Sequence, residues 1–252
     1  MAYERELEVV HNLVEQTDAI AMKHFAIGVA TETKADGTPV TIADRAIEEA
    51  LRAGLGRAFP TDGILGEELG ATGEGVRRWI VDPIDGTKNY ARGVPVFATL
   101  IALEDGGRLV AAMVSAPALG TRWWASAGGG AFCDGSAIQV SGVASLKDAD
   151  VITGGIDWAR ERTDALLALV AAARRQRGFG DFWGHMLVAQ GSADVMVELA
   201  PLALWDIAAP KMIVEEAGGR MTGLDGDAAL KPGPVITSNG ALHDQARALL
   251  TA

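Results

Sequence analysis

Three short segments of this chain place carboxylates directly after apolar residues. They are Ile64-Leu65-Gly66-Glu67-Glu68, Trp79-Ile80-Val81-Asp82-Pro83-Ile84-Asp85-Gly86-Thr87 and Leu204-Trp205-Asp206-Ile207-Ala208-Ala209-Pro210. An unpaired charge is costly to bury, so acids in such places need partners. Taken singly, each has an ordinary explanation: a turn at Asp82-Pro83 or Asp85-Gly86, or a helix cap at Asp206. Taken together they demand more. Two carboxylates about 4 Å apart repel by about 4 kcal/mol at an effective dielectric of ~20. Four of them make six such pairs, in a fold stabilised by only roughly 5–15 kcal/mol. Such a cluster either binds cations or holds protons. Oxygen ligands without Cys or His favour hard ions, and magnesium is the usual choice for phosphate chemistry. Pro83 fixes its own φ and helps hold the turn that aims Asp82, Asp85 and the Ile84 carbonyl at one spot. Gly86-Thr87 then opens a helix, whose free N–H groups suit a phosphate.

Other chemistries lack their residues. There is no phosphate loop of the Gly-x-x-x-x-Gly-Lys type, no Gly-x-Gly-x-x-Gly after a strand, no nucleophile elbow and no His-Glu-x-x-His pair. His11, His24, His185 and His243 are scattered, and Cys133 is alone, so neither a zinc site nor a disulfide framework is expected. The 252 residues carry 22 basic against 33 acidic side chains, a net charge of −11, which disfavours nucleic acid as a partner. No uncharged apolar run reaches the roughly 18–20 residues that span a bilayer. The charged start, Met1 to Glu8, predicts no secretory leader and a cytoplasmic protein.

The elements that must position these acids follow from periodicity. Apolar residues at helical spacing from Glu4 to Phe25, closed by Gly28, predict a first helix. A polar loop runs from Thr31 to Pro39, and Thr41 with Asp44 forms a capping box that opens a helix to Ala58. Strands are expected at Trp79–Val81, Phe97–Leu103, Leu109–Ser115 and Arg122–Ser126, with turns at Gly106-Gly107 and Gly128–Gly130. Beyond Ser141 helices are expected at Asp164–Gln176, Phe182–Gln190, Trp205–Glu216 and Ala241–Leu250. Strands are expected there at Val151–Thr153, Asp194–Glu198, Gly219–Thr222 and Val235–Ser238. The pattern is that of a layered α/β (α+β) protein, antiparallel in its first half and mixed in its second. It reads as a single compact unit, with sub-halves of approximately 1–140, carrying most of the acids, and 141–252, carrying Asp206.

The chain resembles the inositol monophosphatase family of magnesium-dependent phosphomonoesterases. The resemblance rests on Gly66-Glu67-Glu68, on the run Trp79 to Arg92 with its Asp-Pro-Ile-Asp-Gly-Thr core, and on Trp205 to Pro210 closing with Glu216-Ala217-Gly218-Gly219. It covers nearly the whole chain in order and spacing. It implies an αβαβα sandwich, commonly dimeric, and an enzyme often inhibited by lithium. It implies that Glu67, Asp82 and the Ile84 carbonyl hold one magnesium, and that Asp82, Asp85 and Asp206 hold a second. A third ion would sit near Glu67 when substrate is bound. Thr87, backed by Asp44, would orient the attacking water, with Glu67 as proton acceptor. The Gly86 and Thr87 N–H groups would hold the phosphate, and Lys34 lies in the loop that closes over the site in relatives.

The second half carries the specificity signal. Where inositol-type relatives usually have Gly, then Ser or Thr, then Ala, this chain has Gly180-Asp181-Phe182-Trp183. A carboxylate there suits a cationic leaving group better than a polyol, and Glu198 would be a second acceptor. Trp183 could add contact with an ammonium or imidazole. The stretch, with Arg122-Trp123-Trp124-Ala125, looks like the histidinol-phosphatase branch. The expected substrate is histidinol phosphate, a small phosphorylated metabolite. The alternatives are inositol monophosphate or another sugar or polyol phosphate, and a non-catalytic metal or metabolite binder. Asp181 could instead simply cap the following helix. Trp123 and Trp124 read as strand packing, and His185 as structural.

Overall fold

The computed structural model describes residues 3–25, 31–33, 39–73 and 75–251. Lys34 and Gly28, to which the sequence assigned a closing loop and a helix stop, lie outside the described residues. The first half runs α1 (Glu4–His24), the two-residue strands β1 (Glu32–Thr33) and β2 (Pro39–Val40), α2 (Ile42–Ala58), β3 (Gly63–Gly66), β4 (Gly70–Thr72) and β5 (Arg77–Asp85). It continues with α3 (Thr87–Ala91), β6 (Ala98–Asp105), β7 (Arg108–Ala116), β8 (Thr121–Ser126), β9 (Gly130–Cys133) and β10 (Ser136–Ile138). The second half has β11 (Asp150–Thr153), α4 (Thr163–Ala172), β12 (Arg175–Gly178), α5 (Asp181–Ala189) and β13 (Val195–Leu202). It ends with α6 (Leu204–Glu216), β14 (Arg220–Gly223), β15 (Gly233–Ser238) and α7 (His243–Leu250).

Strand alternation sorts these elements into layers. The first sheet has the order β10-β9-β8-β7-β6-β5-β3-β4. On one face Trp79 and Val81 of β5, Ile101 and Leu103 of β6, and Met113 of β7 pack on Val10, Val14, Ile47 and Leu51 of α1 and α2. On the other face Ile80, Leu100, Ala112 and Val114 pack on Phe182 and Met186 of α5 and on Ala209 and Ile213 of α6. The second sheet, β12-β11-β13-β15-β14, covers the far side of α5 and α6, where Met196 meets Val188 and Met221 meets Ile207. Its outer face, with Val151, Val197 and Ile236, carries α4 and α7 through Leu169 and Ala246. The result is the expected αβαβα sandwich, and α5 and α6 form its middle layer.

Two expectations need correction. The first sheet is not wholly antiparallel, because β3 runs parallel to β5. That pairing brings the ends of two strands, and the acids beyond them, to one edge. The helix expected at Asp164–Gln176 stops at Ala172, and Arg175–Gly178 becomes an edge strand parallel to β11. Its side chains are mostly exposed, so no apolar alternation marks it. The alternative reading of Asp181 as a helix cap does not hold either, since Gly180 is the N-cap residue of α5 and Asp181 lies inside the helix with a φ of 56°.

Helix α3 is short and is anchored by one residue. Tyr90 is fully buried, packs edge-on against Phe97, and donates its hydroxyl to the Ala21 carbonyl of α1 at 2.6 Å. Tyr90→Phe keeps the ring and removes that bond from a dry site. A loss of about 1 kcal/mol is expected, or a melting temperature lower by roughly 2–4 °C in a thermal scan.

Candidate active site

On a regular strand Asp82 and Asp85, three residues apart, would face opposite sides of the sheet. The ladder between β5 and β6 pairs Asp82 with Leu100 but Asp85 with Ala98, so its register shifts between the two acids. Pro83 sits in that bulge, where a residue without an N–H is tolerated. The Thr99 hydroxyl donates to the Pro83 carbonyl at 2.9 Å and fixes the bulged backbone. Ile80 faces the middle helix layer, and Asp82, two residues on, shares that face. Ile84 has swung to the α1 and α2 side. Asp85 points back to the middle layer, where its Oδ2 accepts the Phe182 N–H of α5 at 2.6 Å.

Helix α6 supplies the third acid from the same layer. Asp206, in its first turn, accepts the Ala203 N–H at 2.7 Å and so closes the helix start. One carboxylate oxygen each from Asp82, Asp85 and Asp206 lies within 4.8 Å of the others. Glu67 follows directly on β3. Gly66 pairs with Val81, so the next residues of the two parallel strands are Glu67 and Asp82. The charge of Glu67 acts on Asp82, Asp206 and Asp44.

Burial holds Asp82 well above the usual carboxylate range, and the charges of Glu67, Asp85 and Asp206 push it further. Asp85 is raised by burial and then by Asp181 and Asp206, while its bond from the Phe182 N–H acts in the opposite sense. Asp206 is pushed up to about 6, again chiefly by burial. One oxygen of Asp82 is buried without any hydrogen-bond partner. A cluster that holds protons, retains one orphaned oxygen and offers only oxygen donors fits a hard divalent cation. Asp82, Asp85, Asp206 and Glu67 are the residues that could hold it.

Thr87 and Asp44 do meet. The Thr87 hydroxyl lies 3.4 Å from Asp44 Oδ1 and 2.9 Å from the Ile84 carbonyl, to which it donates. Asp44 is buried, and its other oxygen accepts both the N–H of Thr41, at 2.8 Å, and its hydroxyl, at 2.5 Å, completing the capping box read from the sequence. Burial raises Asp44 and the Thr41 bonds oppose the rise. Gly86 takes a φ of 82° at the start of α3, and an added Cβ would fall 2.9 Å from the Val96 carbonyl, so only glycine suits this turn.

Beside the acids a cleft of about 600 Å³ is lined by Asn89, Trp158, Trp183, Asp181 and Glu198, among others. Asp181 does not cap its helix. Its Oδ2 accepts the Asn89 amide at 3.1 Å, and the same amide donates to the Val96 carbonyl at 3.0 Å. Burial raises Asp181, with Lys88 and Asn89 opposing. Glu198 is only 5% exposed and accepts the Ala200 N–H at 3.1 Å. Burial pushes it up to about 7. It fits because Gly154 has no side chain, since a Cβ there would lie 1.8 Å from Glu198 Oε2. Asn89 was missed in the sequence although it lies within the motif run, one turn after Gly86. Trp158 was missed because nothing local marks it. Trp123, which donates to Gln190 at 2.9 Å, and Trp124, stacked on Phe132, are packing residues. His185 is buried against the Thr237 hydroxyl at 2.9 Å, and burial lowers it to about 4.

The raised acids set a pH dependence with a definite sign. Between the unfolded carboxylate range and the folded values, the native cluster holds protons that the unfolded chain has released. Its contribution to stability therefore falls as pH rises, with Asp206 titrating near 6. Magnesium added to chelator-treated protein should raise the melting temperature more at pH 7.5 than at pH 5.5. Asp82→Asn should abolish that increment. It should also raise the metal-free melting temperature at pH 7.5 by several degrees, for about 1–3 kcal/mol at roughly 2–4 °C per kcal/mol. Scanning fluorimetry with and without chelator measures both.

Known proteins share this fold and much of this sequence. A histidinol-phosphatase of Streptomyces coelicolor is 48% identical, with 96% of each chain covered. Among solved structures, a Thermotoga maritima IMPase superposes with a TM-score of 0.89 at 32% identity, covering 98% of this chain and 97% of its own. An IMPase/NADP phosphatase complexed with Mg2+ and phosphate superposes with a TM-score of 0.86 at 26% identity, covering 100% of this chain and 97% of its own. The profile of the inositol monophosphatase family matches residues 3–252, and the chain belongs to that family.

Proposed function

We propose that this protein is a magnesium-dependent phosphomonoesterase that hydrolyses histidinol phosphate to histidinol and inorganic phosphate. The reading is carried by the three converging carboxylates of Asp82, Asp85 and Asp206, with the orphaned Asp82 oxygen. Asp82, Asp85, Asp206, Glu67 and the Ile84 carbonyl would hold two ions, and a third would sit near Glu67 with substrate. Bound magnesium supplies charge neutralisation for the phosphoryl group and makes water more acidic. Glu67 accepts the proton of the attacking water. Thr87 orients that water once its hydroxyl turns from the Ile84 carbonyl to Asp44, whose buried Oδ1 lies within reach. The Gly86 and Thr87 N–H groups steady the phosphate. Most of the acceleration then comes from positioning and electrostatics.

The cleft supports the cationic alcohol. Among the described residues neither Asp181 nor Glu198 forms an ion pair, and Lys88, which lines the same cleft and whose charge acts on Asp181, leaves the two acids in excess. Two such acids favour a ligand that brings positive charge, and a polyol brings none. The histidinol-phosphatase name of the relative at 48% identity points the same way.

Phosphate release in magnesium buffer tests the proposal. Histidinol phosphate should be turned over far faster than inositol monophosphate, and chelator should abolish both. A preference for the inositol ester would refute the substrate. Asp181→Ser should raise KM for histidinol phosphate about 10–100-fold, the loss of one charge-assisted contact, and leave the inositol ester nearly unchanged. Glu198 ionises near pH 7, so KM for histidinol phosphate in the parent protein should fall as pH rises through that value. Glu198→Gln should flatten that profile.

A further inference from the structure

Glu67 leaves the first sheet between two fixed points. Before it, Gly66 pairs with Val81 in the parallel ladder of β3 and β5. After it, the Glu68 N–H donates to Glu48 Oε2 at 2.7 Å and the Leu69 N–H donates to Glu48 Oε1 at 3.1 Å. Glu48 belongs to α2 and is wholly buried. Its remaining donor is Arg52, one helical turn on, whose Nε lies 2.8 Å from Oε1. The same guanidinium donates to the Gly70 carbonyl, and to the Thr72 hydroxyl at 3.0 Å. One buried acid and one arginine therefore grip the turn from 68 to 72.

Burying a carboxylate costs several kcal/mol unless its oxygens are saturated, and here two backbone N–H groups and a guanidinium saturate them. The turn they hold leads into β4, an exposed edge strand of three residues. Such a hairpin can close with ordinary turn residues. A buried acid is an expensive way to close it, unless what the turn carries must be placed accurately, and it carries Glu67. Gly66 agrees with this. A Cβ at that position would fall 2.1 Å from Glu48 Oε1 and 2.9 Å from Arg52 Nη2, so the glycine leaves space that the carboxylate fills.

We infer that Glu48 is a positioning residue, which fixes through the 68 and 69 N–H groups the backbone that presents Glu67 to the cation. The inference rests on the reading of Glu67 as a cation ligand, proposed above. Glu48→Gln keeps the size and turns an amide N–H₂ against at least one of the backbone donors. Magnesium binding is measured by calorimetric titration of the full chain, with near-UV dichroism confirming the fold. The dissociation constant should rise about 10–100-fold, as for other residues that orient a metal ligand. Glu67→Ala should also weaken binding, and adding Glu48→Gln to it should cost less than about twofold more, because both act through one side chain. Should Glu48→Gln not fold, Gly66→Ala displaces the Glu48 carboxylate without removing its charge, and it should weaken binding in the same sense. A lower melting temperature with unchanged magnesium affinity, or additive losses in the double variant, would overturn the inference alone. Unchanged affinity in Glu67→Ala would overturn it together with the ligand reading.

Discussion

A β-strand sends neighbouring side chains to opposite faces, and a metal site needs acids on one face. This protein resolves the conflict with a single irregularity. The register shift between Asp82 and Asp85 moves Ile84 to the α1 and α2 side and returns Asp85 to the side of α5 and α6. Pro83 cannot join a ladder, and its carbonyl is taken by Thr99, so the bulge has a fixed shape. Without it Asp85 would face the wrong layer, α5 would lose the carboxylate at its start, and Asp206 would have one neighbour fewer.

The electrostatics follow from that placement. Burial, and after it the charges of neighbouring acids, raise all three, so the cluster stores protons until something more highly charged replaces them. Two of the three are tied to helix starts: Asp85 takes an N–H from α5, and Asp206 one from its own first turn. Each of those bonds favours the ionised form and partly offsets the repulsion. Asp82 has no such relief, and its orphaned oxygen marks where the unmet demand for a cation is greatest.

Much of this was legible in the residues, because local chemistry wrote it. The Thr41–Asp44 box, the turn at Pro83 and the acids that follow apolar runs are signals within a few positions of one another. The long helices and central strands were legible for the same reason. What stayed hidden depends on distant partners. The strand Arg175–Gly178 is recognisable only through its pairing with β11, since its exposed side chains show no alternation. Asp181 has the sequence of a helix cap and is not one, because Asp85, nearly a hundred positions away, already serves that N-terminus. Glu48 resembles any acid on an amphipathic helix until the turn after β3 is seen resting on it.

The Asp85 bond also joins the two halves of the site. It holds the N–H of Phe182, and Phe182 follows Asp181, whose carboxylate Asn89 holds from the other side. Asp181 sits in the left-handed region at a φ of 56°, a conformation that costs an ordinary residue of order 1–3 kcal/mol and persists only where its surroundings impose it. The surroundings here are the cation site on one side and α3, which begins at Thr87, on the other. Glycine at 181 would relieve the backbone and asparagine would tolerate it, but neither brings a charge. Aspartate tolerates this region about as asparagine does, and of the three residues that suit the position it alone brings a charge to the cleft. Asp85 and Asp181 are thus joined through a single peptide group, and the acidic cluster and the cleft share one fixed piece of backbone.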